Sequence, residues 1–187
     1  MPKDCNVTTI VYRNGELATD SKIARHMGTS LERYVTGEKV YKTPCGRAYL
    51  AKPGEMYDKA SMIAIGEEIL LQLLVMREGD ITPHTFNGLR HIKEEILVVV
   101  RDAAYHIEYG VVSELDSEDF CTMGSGVWVA RAPVLVGMTP TEAVMWTLDR
   151  DRLSGGPVRT YMANKLKPLT KEVTIKKPRT PRKAGAK

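Results

Sequence analysis

Five short segments of this chain carry side chains that could do chemistry. Thr8-Thr9-Ile10-Val11 opens with two hydroxyls, Asp20 and Lys39 follow, and Gly124-Ser125-Gly126 and Asp151-Arg152-Leu153-Ser154-Gly155-Gly156 come late. A threonine hydroxyl is a poor nucleophile until a neighbouring group accepts its proton. Taken singly, each segment has an ordinary use. Thr8–Val11 reads as an edge strand, Lys39 as a solvated strand lysine and Gly124-Ser125-Gly126 as a turn. The last segment reads as a helix C-terminus with a glycine stop. His26, His84, His91 and His106 are scattered without metal-ligand spacing. Cys5, Cys45 and Cys121 form no CxxC pair and no Cys/His cluster, so neither a zinc site nor a disulfide framework is indicated. No cofactor or metal is expected.

The chain that must position these groups has 187 residues, enough for one domain with its own core plus an appendage. A hydrophobic fraction of 43% and a charged fraction of 27% place it among ordinary globular sequences. No apolar run reaches the roughly 18 residues that span a membrane, and the N-terminus lacks a signal peptide's apolar core. With its odd, widely spaced cysteines the chain fits a reducing, cytoplasmic setting. The net charge of +4 is unevenly divided. Residues 165–187 hold nine Lys and Arg against one acid, Glu172, which leaves the rest mildly acidic.

Thr8–Val11 and Glu16–Asp20 read as strands around the hairpin turn Asn14-Gly15. Lys39–Tyr41 and Arg47–Ala51 form a second hairpin. Met56–Met76 repeats apolar residues at helical spacing and stops at Gly79. Gly66 within it either weakens the helix by about 1 kcal/mol or lets a neighbour pack closely. Ile96–Val100 is a buried strand, and Ala104–Tyr109 and Phe120–Met123 are further strands. Trp128–Val136 reads as a helix that Pro133 would kink. Thr139-Pro140-Thr141-Glu142 is a capping-box start for a helix running to about Leu153. Val158–Met162 closes the body. This order predicts an α+β sandwich of two sheets between helix layers.

In order and spacing, these segments resemble the proteasome β-subunit and HslV family, most closely its short bacteriophage-encoded members. The resemblance rests on Thr8-Thr9-Ile10-Val11 with Asn14-Gly15 and Asp20, on Lys39-Val40, and on Gly124-Ser125-Gly126 with the Thr139 helix start and Asp151-x-x-Ser154-Gly155-Gly156. It covers about residues 8–161. It implies a four-layer αββα N-terminal nucleophile (Ntn) hydrolase fold and a threonine peptidase. Thr8 would be the nucleophile, and its own α-amine, titrating near about 7.7–8.0, the base. Lys39 would favour the alkoxide and Asp20 would hold Lys39. Ser125, Asp151 and Ser154 would surround the amine, and Gly54 would supply an oxyanion-hole N–H. The implied partners are a peptide or protein substrate and further copies of the chain in a homo-oligomer.

Three positions depart from the family pattern. Val7, β-branched and stiff, stands where precursors usually have glycine, and the mechanism needs the Val7–Thr8 bond cut. Val127 replaces another common glycine, and Pro133 interrupts the next helix. Next to Gly54, Pro53 has no N–H to offer. The organisation expected is a leader or propeptide at 1–7, the catalytic-type domain at 8–164 and a basic tail at 165–187. The rival reading is an uncleaved, non-catalytic phage structural or interaction protein whose tail contacts a partner. That tail is either a solvated appendage or a contact to nucleic acid or an acidic protein surface, which salt would weaken.

Overall fold

A computed structural model describes residues 8–27, 31–53 and 59–169. Residues 1–7, expected to be a leader, Gly54 and most of the basic tail (170–187) lie outside the described residues.

The first hairpin forms as its turn residues dictate. Strands β1 (Ile10–Arg13) and β2 (Glu16–Thr19) pair antiparallel with Ile10 opposite Thr19. Asn14 and Gly15 adopt φ of 50° and 78° between them, the two positive values a tight twisted turn needs. Strands β3 (Lys22–Met27) and β4 (Leu31–Thr36) make a separate two-stranded ribbon. Strands β5 (Val40–Lys42) and β6 (Ala48–Ala51) follow, then helix α1 (Lys59–Glu78). Three more strands, β7 (Ile96–Val100), β8 (Ala104–Glu108) and β9 (Val111–Leu115), complete a sheet in the order β5-β6-β7-β8-β9. Strand β10 (Phe120–Met123), helices α2 (Val127–Leu135) and α3 (Pro140–Leu148) and strand β11 (Arg159–Met162) end the body. The second sheet runs β10-β1-β2-β11.

Alternation along the strands builds the layers. Ile10, Tyr12 and Leu17 face Tyr49, Ala51, Leu97 and Val99 of the other sheet. Their neighbours Val11 and Ala18 face the opposite way, onto Ala130, Val134, Ala143 and Val144 of α2 and α3. On the far side, Leu50, Val98 and Val100 pack against Met62, Ile69 and Leu73 of α1. The result is the predicted αββα sandwich, with β7 buried on both faces.

Four details differ from the sequence reading. The β3–β4 ribbon and β9 were not expected: Lys22–Met27 and Leu31–Thr36 lack strict apolar alternation, and Tyr109-Gly110 is an unusual pair for the turn into β9. Both turn residues nevertheless take positive φ, 49° and 78°. Helix α3 ends at Leu148 rather than near Leu153. Packing also continues past residue 164, because Leu166 and Leu169 are buried in the body's core. The capping box forms, with Thr139 Oγ1 accepting from the Glu142 amide and Glu142 Oε2 accepting from the Thr139 amide. Among the described residues, no helix is long and apolar enough to cross a membrane.

Gly66 is where α1 meets the sheet. A Cβ there would overlap Leu50 Cδ1, and Leu50 is fully buried with nowhere to go. Overpacking costs about 1–3 kcal/mol, against about 1 kcal/mol regained in helix propensity. Gly66→Ala is therefore expected to lower the urea midpoint despite being the better helix former. An unchanged or higher midpoint would mean that Leu50 yields freely.

Candidate active site

Thr8 and Thr9 lie just before β1, where the register of β10 brings Gly124-Ser125-Gly126 alongside them. The approach is too close for side chains. A Cβ on Gly124, which has φ of 90°, would overlap the Thr8 carbonyl, and one on Gly126 would overlap Thr9 Oγ1. Two glycines therefore let the loop lie flat on the threonines. Between them, Ser125 Oγ accepts from the Thr8 nitrogen at 3.1 Å. The Gly126 amide donates to the Thr8 carbonyl at 3.4 Å. Thr8 itself is buried.

Asp20 caps the end of β2 and is fully buried. Its Oδ1 accepts from Lys39 Nζ at 2.7 Å and from the Thr9 amide at 2.7 Å. Its Oδ2 accepts from the Gly155 amide at 3.1 Å and the Lys22 amide at 3.4 Å. Four donors satisfy one carboxylate, which is how a charge survives burial. Lys39, one residue before β5, is also buried. Burial pushes its ammonium below the usual lysine range. The charge and hydrogen bond of Asp20 oppose that fall, and the nearby charge of Lys22 adds to it.

The chain after α3 forms a tight loop. Asp151 Oδ1 accepts from the Leu153 amide at 3.0 Å, turning the backbone so that Ser154 Oγ donates to Asp151 Oδ2 at 2.6 Å. Ser154 Oγ in turn lies 2.5 Å from Thr9 Oγ1. Gly155 then accepts from the Ser21 and Lys22 amides through its carbonyl, at 3.2 and 2.9 Å, fastening the loop beside Asp20.

The structure thus groups the sequence-derived candidates in three contacts: Thr8 with Ser125, Asp20 with Lys39, and Asp151 with Ser154. The hydrogen bonds of Ser154 reach the first strand through the Thr9 hydroxyl rather than through the Thr8 nitrogen. Thr9 was not among the candidates. Its only sequence signal is its place between Thr8 and an apolar strand.

No protein-family model and no curated protein matches this sequence. Solved structures do match. The chain superposes on HslV from Trypanosoma brucei with a TM-score of 0.56 at 16% identity, covering 82% of this chain and 97% of that one. It superposes on Thiobacillus denitrificans BPH, solved in complex with epoxomicin, with a TM-score of 0.54 at 15% identity, covering 82% and 96%. The fold is that of HslV. At this identity the likeness concerns the backbone arrangement. Within the HslV-type sandwich, the buried polar groups described above gather at the end where β1 begins.

The Asp20–Lys39 pair makes a testable statement about charge. Because the folded pKa of Lys39 is depressed below 10.5, the unfolded chain binds the extra proton between that pKa and 10.5. This group alone therefore makes stability rise with pH across that window. Nitrogen-15 NMR of Lys39 Nζ should show titration below 10.5, and lower still in Asp20→Asn, where burial acts without the carboxylate's support. Breaking the buried pair should also cost about 3–5 kcal/mol of folding stability. A Lys39 that titrates at or above 10.5 would contradict the burial seen here.

Proposed function

We propose that this chain is a threonine peptidase of the N-terminal nucleophile type, made active by cleavage of the Val7–Thr8 bond. The observation that carries the reading is the setting of Thr8. It is buried at the head of β1, its nitrogen is held by Ser125 Oγ, and the Lys39–Asp20 pair is tied to the adjacent Thr9 amide.

In this reading cleavage turns the Thr8 amide into an α-amine, which accepts the hydroxyl proton as Thr8 Oγ1 attacks a peptide carbonyl. The proton then passes to the departing amine, leaving an ester on Thr8. Water hydrolyses the ester and restores the hydroxyl. Lys39 favours the alkoxide electrostatically, Asp20 fixes Lys39, and Asp151 and Ser154 orient the groups behind the threonines. Gly54 is the proposed oxyanion donor. Removing one such donor commonly costs about 2.7–4 kcal/mol of transition-state stabilisation.

The likeness to HslV extends the proposal to a protein or peptide substrate, a cytoplasmic setting and a homo-oligomer. Large exposed side chains on α2 and α3, among them Trp128, Leu135 and Met145, support an oligomer or partner contact. A second reading is an uncleaved, non-catalytic interaction protein of a phage particle. Val7 favours it, because a stiff β-branched residue resists the tight turn that self-cleavage needs. In that reading 165–187 contacts nucleic acid or an acidic protein surface, and rising salt should release the partner.

Two substitutions separate the readings. Thr8→Ala should abolish peptide hydrolysis by the purified protein, while Thr8→Ser should keep part of it. Epoxomicin, the compound held by the Thiobacillus protein, should block the wild type. Hydrolysis that persists in Thr8→Ala would refute the proposed nucleophile.

A further inference from the structure

The proton directions around Ser154 are fixed by chemistry. An ionised carboxylate can only accept, so the 2.6 Å bond to Asp151 Oδ2 uses the single proton of Ser154. In the 2.5 Å contact between Ser154 Oγ and Thr9 Oγ1, the donor must then be Thr9. A one-way chain results, from the Thr9 hydroxyl to the Ser154 hydroxyl to the Asp151 carboxylate. The Thr9 amide donates to Asp20 Oδ1, the same oxygen that receives Lys39 Nζ, and the Thr9 carbonyl accepts from the Asp20 amide at 3.1 Å.

Thr9 therefore hydrogen-bonds both halves of the site, and it does so from the position next to Thr8. It is fully buried, and its hydroxyl proton is spent on Ser154. Its hydroxyl is confined on one side by Ser154 and on the other by Gly126, where any Cβ would overlap it. A valine would fill the same space without donating.

We infer that Thr9 is a positioning residue: its hydroxyl and amide lock the Ser154–Asp151 and Lys39–Asp20 pairs in register around Thr8. This inference rests on the peptidase reading. It assigns Thr9 no contact with the reacting atoms. Its effect reaches them through the orientation of Asp151 and Lys39, so its loss should slow turnover rather than weaken substrate binding. A misplacement of about 1 Å can cost on the order of a hundredfold.

The test compares wild type, Thr9→Val and Thr9→Ser in the full chain. Thr9→Val should lower kcat about ten- to hundredfold with KM within about twofold of wild type. Thr9→Ser, which loses the methyl but keeps the hydroxyl, should restore most of kcat. A purely packing role predicts the reverse order, with valine tolerated and serine impaired. A double-mutant cycle with Ser154→Ala should be non-additive, because both changes remove one shared bond. If Thr9→Val does not fold, Thr9→Ala carries the same comparison. Active wild type with an equally active Thr9→Val would overturn this inference and leave the peptidase reading standing. A wild type without hydrolysis would overturn both.

Discussion

One buried carboxylate organises this end of the molecule. Asp20 is inaccessible to water, yet it accepts from the Lys39 side chain and from the amides of Thr9, Lys22 and Gly155. An unpaired charge at that depth would cost several kcal/mol. The requirement that its donors all be present brings together the head of β1, the start of β3, the approach to β5 and the loop after α3. Each is delivered by a different element, and the Gly155 amide comes from 135 residues along the chain. The two-sheet sandwich supplies their directions, and the carboxylate supplies the reason for their convergence.

The glycines complete the arrangement by removing bulk. Gly124 and Gly126 allow backbone and hydroxyls to approach within hydrogen-bonding distance, and Ser125 is left between them to meet the Thr8 nitrogen. In the same way Gly66 lets α1 settle against Leu50. Side-chain absence at a few positions thus sets the spacing of layers and of the site alike.

Much of the fold was legible because its signals are local. Asn14-Gly15 needed its turn, Thr139 and Glu142 their reciprocal cap, and Ile96–Val100 a place between two packed layers. The β3–β4 ribbon was illegible because Lys22–Met27 and Leu31–Thr36 mix charged and apolar residues without a regular period. The loop after α3 was misread for a different reason. Asp151 and Ser154 suit a helix end by type, and only the Leu153 amide turning onto Asp151 shows that the helix has already stopped. Thr9 was invisible as a site residue because it reads as an ordinary strand threonine. Its role depends on joining nearby Asp20 to Ser154, 145 residues away in the chain. Sequence order points to which residues meet, and the hydrogen bonds define how.

The proposed chemistry turns on the state of one nitrogen. As an amide, the Thr8 nitrogen cannot accept a proton, and the surrounding groups have no base to serve. As an amine, it completes the set. The most direct measurement is the intact mass of protein purified after expression of the full sequence. The account predicts a species that begins at Thr8, lighter by residues 1–7, and that this species alone hydrolyses peptides. A population that retains Val7 throughout would contradict the account, as would one that begins at Thr8 and is inert.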